Sequence, residues 1–302
     1  MDFELVAAGL QFPEGPIVMP DGSVILVEIQ RKTLTRVWNG RSEVIAEIGG
    51  GPNGAAIGPD GACYITNNGG FEYHNVGGLN VPGHAAHDYD TGRIERVDLN
   101  TGKVERLYDK IGEHKLSGPN DLVFDKSGGI WFTDLGKNYK RSSDRGGLYY
   151  CKPDGSLIKE AAYGFVGLNG VGLSPDEAVV YAAETETGKL WAFDIVGEGE
   201  VAPSPFGLRG RVVAAQPYHC FFDSLAVQAN GDVCVATILN GGVTTITPAG
   251  VSTHTPFPDP IVTNIAFGGA DMRDAYVTLS GTSQLIKARW PEPGLKLNFA
   301  PY

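Results

Sequence analysis

Six stretches of the chain begin with an acid or an amide and continue into a short run of small or apolar residues. They start at Glu14 (EGPIVMPDGSVILVE), Asn53 (NGAAIGPDGACYITN), Asn120 (NDLVFDKSGGIWFTD), Asn169 (NGVGLSPDEAVVYAA), Asp223 (DSLAVQANGDVCVAT) and Asn264 (NIAFGGADMRDAYVT). A single asparagine ahead of a strand ordinarily serves a turn, through a bond to its own backbone. Six oxygen-bearing residues in one register of a repeat are not accounted for that way. Brought together, two carboxylates and four amides form a donor set for a hard divalent cation. The carboxylates balance its charge and the amide oxygens complete the shell. Two acids held close on a narrow axis repel each other unless a cation binds. A cation held so is acidic enough to polarise a carbonyl or phosphoryl oxygen. Oxygen-only donors suit Ca²⁺, Mg²⁺ or Mn²⁺ and leave Zn²⁺ or Fe²⁺ open.

A repeat architecture would bring the six to one place. No long stretch carries the 3.6-residue apolar period of a helix. Short β-rich runs such as Val24 to Ile29, Ile130 to Thr133 and Val233 to Thr237 alternate with turn words such as Pro20-Asp21-Gly22, Pro59-Asp60-Gly61 and Asn230-Gly231-Asp232. The copies lie 39, 67, 49, 54 and 41 residues apart, with room for further strands such as Arg93 to Leu99 and Val104 to Tyr108. Four strands per copy, six times over, predict an all-β fold: a six-bladed β-propeller with four-stranded antiparallel blades, one domain over residues 1–302. The innermost strands would line the channel and set the six polar residues in a ring. Phe3 to Ala7 has no partner in its own blade, so it is expected to close the ring as the outer strand of the last blade, Ala275 to Ala288. Residues 68–92, rich in Gly, His and aromatics, read as a long loop covering a site on one face.

Composition narrows the function classes. Lys plus Arg is 24 against 35 for Asp plus Glu, a net charge of −11 that repels phosphate backbones and speaks against a nucleic-acid partner. The longest apolar runs, such as Ala178 to Ala183, fall far short of the ~20 residues of a bilayer span, so no membrane partner is expected. The start, Met1-Asp2-Phe3-Glu4, has neither the basic nor the apolar region of a secretory signal. Cys63, Cys151, Cys220 and Cys234 form no C-x-x-C pair and read as buried reduced thiols, which makes the cytoplasm the expected compartment. No G-x-S-x-G, H-E-x-x-H or phosphate-loop motif is present. Around the ring, His84 and His87, with His74, cluster in segment 68–92, and His219 lies four residues before Asp223; these are candidates for substrate contact. Phe71, with Tyr73, Phe221 and Phe222, could supply apolar walls. Trp131 and Trp191 are expected between blades, and Glu184 and Glu186 on the surface.

The copies Phe12-Pro13-Glu14-Gly15-Pro16, Gly118-Pro119-Asn120-Asp121-Leu122, Leu168-Asn169-Gly170-Val171 and Phe222-Asp223-Ser224-Leu225, with the sixth copy Thr263-Asn264-Ile265-Ala266-Phe267-Gly268-Gly269, resemble the SMP-30/gluconolactonase/LRE-like family along the length of the chain. The resemblance implies a six-bladed propeller with one divalent metal ion, Ca²⁺ foremost, in its central channel. It implies the activity of a sugar lactonase or of the similar phosphotriesterase, diisopropyl-fluorophosphatase. By the same resemblance Glu14, Asn169 and Asp223 match metal ligands, Asn120 matches a position that binds metal or substrate, and Asp223 is the candidate base or nucleophile. The chain departs from the family in having Phe222-Asp223-Ser224 where Pro-Asp-Gly is common. An Arg that binds sugar lactones just before the third motif is also missing, and Lys115 is the nearest basic residue.

The expected function is therefore that of a metal-dependent hydrolase opening a small lactone. The ion would polarise the ester, Asp223 would activate water, and Asn53 and Asn120 would orient the substrate through their amides. The alternatives are an organophosphate triesterase on the same site and a non-catalytic propeller that binds proteins on its rim. Paired buried carboxylates weigh against the last, since a scaffold has no use for them.

Overall fold

Tight turns at the Pro-Asp-Gly words fold each repeat back on itself. The computed structural model, which describes residues 1–204 and 210–301, is built of strands, with no helix among the described residues. Among the described residues there is thus no helix long and apolar enough to cross a membrane. The strands form six antiparallel blades, five of them running outward in sequence order from the inner strand and the sixth completed by the N-terminal strand. The inner strands are Pro13–Val18, Pro52–Ile57, Pro119–Phe124, Leu168–Leu173, Phe221–Val227 and Val262–Gly268. The fold is the six-bladed propeller that the repeats predict. Phe3–Ala8 closes the ring, pairing antiparallel with Gln284–Arg289, with Phe3 opposite Ala288.

Apolar clusters between neighbouring blades hold the ring together. Trp131 of blade three is buried among Leu173 and Val180 of blade four, and Trp191 of blade four meets Phe165 of blade three with ring centroids 5.2 Å apart. Both tryptophans thus pack between blades, each burial contributing on the order of 2–3 kcal/mol by area removed from water. All four cysteines are buried and free of disulfides.

The inner strands share an irregularity at the site register. The pairing slips between Glu14 and Ile17, Pro52 and Gly54, Pro119 and Leu122, Leu168 and Val171, Phe222 and Leu225, and Val262 and Asn264. A bulge of this kind bends the strand and re-aims a side chain, here at or beside each ring residue. Hydroxyls tie one blade to the next at the same level: Thr66 Oγ1 donates to Asn120 O at 2.5 Å, and Thr133 Oγ1 donates to Asn169 O.

The narrow channel also needs glycine after Asn53 and Asn169. A Cβ on Gly54 would stand 2.7 Å from Asn120 O, and one on Gly170 would stand 2.5 Å from Leu225 N. Both obstacles are backbone and cannot swing away. Gly170→Ala is therefore expected to lower stability by about 1–3 kcal/mol, as overpacking does. A fall in the urea midpoint would register this, and an unchanged midpoint would show that the inner strands can part.

The structure corrects two expectations. Segment 68–92 is not a plain loop: it contains an antiparallel hairpin, Phe71–Val76 with Leu79–Ala85. Its two-residue turn uses Gly77 (φ 61°) and Gly78 (φ 89°), a pair of positive angles that suits the twist of a hairpin. Asn80 N donates to Gly281 O in blade six at 2.9 Å, and Ala85 N donates to Asn138 O in blade three at 3.0 Å. The hairpin thus reaches across the channel mouth between opposite blades. Glu184 is not a surface charge. It is buried, accepting from Trp191 Nε1 at 3.0 Å and from Val166 N at 2.8 Å, and so fixes the chain leading into blade four. Glu186 is exposed as expected.

At the opposite end of the channel the segment after the last strand folds underneath. Leu295 to Asn298, with Leu122, Val171 and Leu225, line a cavity of about 170 Å³ there.

Candidate functional site

Glu14, Asn53, Asn120, Asn169, Asp223 and Asn264 are all buried at the start of the inner strands, on the end that the hairpin covers. Contacts link several of them directly. Asn264 Nδ2 donates to Glu14 Oε2 at 2.7 Å across the closure of the ring. Gly15 N donates to the same oxygen at 2.9 Å. Asn169 is hydrogen-bonded to the Asp223 carboxylate, whose Oδ1 also accepts from Ser224 N at 3.0 Å.

Burial dominates the electrostatics. It pushes Glu14 well above the usual carboxylate range, and the neighbouring Asp223 charge pushes it further. Asp223 is likewise raised by burial, with a contribution from Asp121. Asp121 is a third acid of the channel that sequence reasoning did not select. It is buried, burial pushes it up to about 7, and bonds from Leu122 N, Val171 N and the Ser224 hydroxyl only partly offset this. A signal for it existed: Asp121 occupies the position that holds Gly15, Gly54 and Gly170 in other copies. Among the described residues, no basic side chain is ion-paired with any of these three acids, and burial is the largest influence on each.

This donor set suits a hard cation. Asn120 Oδ1 is buried and has no hydrogen-bond partner, which is unusual for an amide oxygen in a protein interior. Among the described residues no three His, Cys, Asp or Glu side chains cluster tightly enough to form a metal site by themselves. Amide oxygens would have to complete any shell here. Asn53 differs from the expected pattern, because its Oδ1 already accepts from Asn68 Nδ2 at 2.7 Å.

The hairpin contributes aromatics. Tyr73 packs on Phe12 with centroids 5.4 Å apart, and its buried hydroxyl has no partner. Burial raises the Tyr73 hydroxyl well above its usual range, and the Glu14 charge adds to this, so the two lie within electrostatic reach. Phe71 is half-buried against the same cluster of Phe12, Ile29 and Ile261. Beneath it lies Lys137, 1% exposed, its Nζ 3.6 Å from the Phe71 ring centre. Sequence reasoning passed over Lys137, since a lone lysine in a loop carries no signal of burial.

Among the described residues, the histidine candidates stand at the surface, and none is hydrogen-bonded to a ring residue. His84 and His87 are exposed, and His87 Nε2 lies 3.2 Å from Glu72 Oε1. His74 is exposed, and His219 is exposed with its ring against Phe221. Phe222 is no pocket wall: it is fully buried between blades four and five with Leu190 and Val235. Lys115 is exposed and pairs with Asp90 at 2.7 Å.

Fold and ring together define a six-bladed propeller with an acid-rich, amide-lined channel mouth. The chain belongs to the SMP-30/Gluconolactonase/LRE-like family, whose characteristic region it matches over residues 12–281. It is 26% identical over 220 residues to a gluconolactonase of Zymomonas mobilis, covering 65% of this chain and 56% of that protein. It is 28% identical over 227 residues to the lactonase drp35 of Staphylococcus saprophyticus, covering 74% of this chain and 59% of that protein. The chain thus spans little more than half the length of these relatives. Among solved structures, a gluconolactonase of Xanthomonas campestris superposes with a TM-score of 0.73 at 21% identity, covering 97% of this chain and 89% of that one. A calcium-binding protein, regucalcin, of Agrobacterium tumefaciens superposes with a TM-score of 0.69 at 17% identity, covering 95% of each chain.

Proposed function

We propose that this protein is a divalent-metal-dependent lactonase that opens a small cyclic ester at the hairpin-covered mouth of its channel. The observation that carries the proposal is the set of three buried acids with no basic partner beside an amide oxygen, Asn120 Oδ1, with nothing to accept. Glu14, Asn169 and Asp223 would hold the ion, with the Asn120 oxygen turned to ion or substrate. Ca²⁺ is the first choice for an all-oxygen set. When bound, such an ion supplies Lewis acidity toward an ester oxygen.

The chain's own groups do the rest. Asp223 takes the proton of the attacking water, a role suited to a carboxylate raised by burial. Asn53, its oxygen occupied by Asn68, has amide hydrogens to give to a substrate oxygen. Tyr73 and Phe71 form the lid side of the pocket and exclude bulk water, which strengthens each polar contact inside. All six blades place a residue in one ring, so the reading takes the whole chain as a single catalytic domain. Membership of the family and the names of the two relatives support the substrate class.

The test is a panel of five- and six-membered lactones and phosphotriesters, run on one preparation with and without chelator, after elemental analysis. Lactone opening that falls with EDTA and returns with Ca²⁺, Mg²⁺ or Mn²⁺ is the expected result. Turnover of phosphotriesters alone would move the assignment to that class. Turnover of neither, with indifference to EDTA, would leave a binding propeller.

A further inference from the structure

The buried lysine has no place in the scheme above, yet its contacts lead to the ring. Lys137 Nζ donates to Gly70 O at 2.8 Å and to Asn68 Oδ1 at 3.2 Å. Gly70 N also donates to Asn68 Oδ1, at 2.7 Å. Asn68 Nδ2 then donates to Asn53 Oδ1 at 2.7 Å. The packing is tight as well as polar: a Cβ on Gly51 would fall 2.4 Å from Asn68 Oδ1.

An amide side chain can present either its oxygen or its nitrogen, and only its partners decide which. Here the decision is made at the lysine end. The groups meeting Asn68 Oδ1 are an amine and a backbone N–H. The amine has at least two hydrogens to give whether charged or neutral, enough for Gly70 O and Asn68 Oδ1 together. Asn68 must therefore turn its nitrogen toward Asn53, and Asn53 must turn its oxygen toward Asn68. What remains for the channel is the Asn53 N–H₂ group.

We propose that Lys137 is a positioning residue that, through Asn68, sets Asn53 as a hydrogen-bond donor toward the substrate oxygen. Asn53 is thereby excluded from the cation's ligands, although its residue type and register match theirs. The inference deepens the lactonase reading and rests on it for the identity of the substrate, but the orientation of the relay does not.

The decisive variant is Asn68→Asp. The new carboxylate still accepts from Lys137 and Gly70 N, so burial and packing are kept. It can no longer donate to Asn53, which should turn its nitrogen toward the carboxylate and its oxygen into the channel. We expect kcat for lactone opening to fall about 10²-fold, the usual cost of losing one donor to a developing oxyanion, with KM changed only a few-fold and Tm unchanged or higher. Lys137→Met should lower kcat in the same direction, and the double variant should lose no more than Asn68→Asp alone. Asn68→Asp with kcat within twofold of wild type would overturn the relay and leave Lys137 a structural residue.

A second measurement stands apart from turnover. The Asn53 side-chain amide signal, assigned by its loss in Asn53→Ala, should exchange with solvent more slowly in Asn68→Asp, where it donates to a buried carboxylate. An unchanged signal would also overturn the relay. If the wild type opens no lactone but this signal moves as expected, the functional reading fails and the relay stands.

Discussion

Asp223→Asn is expected to keep the propeller, gain stability in the absence of divalent cation, and lose lactone turnover by about 10³-fold, within the range for removal of a catalytic base. The substitution replaces one carboxylate oxygen by an N–H₂ group of nearly the same shape. Its Oδ1 can still accept from Ser224 N, which donates to Asp223 Oδ1 at 3.0 Å. What disappears is a negative charge that burial disfavours and that raises Glu14 in turn. Removing an uncompensated buried charge relieves the folded state, so the cation-free variant should melt higher than the cation-free wild type. Turnover should move the other way, because the group assigned to take the proton of water is gone. Steady-state kinetics and thermal melts on the same samples check both halves. A variant that keeps wild-type turnover would remove Asp223 from the mechanism, and one that loses turnover and stability together would point to a structural role.

The opposition between stability and activity at this position explains why the ring was legible in the sequence. Glu14 and Asp223 are poor residues for the start of a buried strand, and only their shared register with four asparagines distinguishes them from turn residues. The blade count and ring closure were legible for a related reason: turn words recur at intervals that fit four strands. Asp121 is less legible because its signal lies one column beyond the ring, where the other copies hold mainly glycine or serine. The hairpin at residues 71–85 is harder to read because the alternation of apolar and polar residues lasts only four residues in FEYHNV and three in LNVPGHA, and its strands are fixed instead by Gly77, Gly78 and bonds to distant blades. Asn68 and Lys137 lie 69 residues apart in irregular segments, and no periodicity could join them. Glu184 looked like a solvent charge because the backbone N–H and indole it satisfies are contributed by the fold.

Stripping divalent cation should make stability fall as pH rises from about 4 to 8, and restoring it should abolish that fall. In the unfolded chain the three channel acids lose their protons near the ordinary carboxylate values of about 4. In the folded chain Asp121 keeps its proton to about 7, and Glu14 and Asp223 are also raised. Between these limits the folded state binds more protons than the unfolded one, so the derivative of unfolding free energy with pH is negative. Asp121 alone, raised by burial to about 7, accounts for a loss on the order of 4 kcal/mol by pH 8, on the order of 10 °C in Tm. A bound cation replaces the missing protons, and because it competes with them its stabilisation should grow with pH over the same window. Melts at half-unit pH steps, with EDTA and with excess Ca²⁺, would trace the two curves. Glu14→Gln removes one of the charges and should both flatten the EDTA curve and weaken cation binding by calorimetry. An EDTA curve already flat in the wild type, or one that Ca²⁺ leaves where it was, would mean that the acids have found another partner, and the cation site would have to be abandoned.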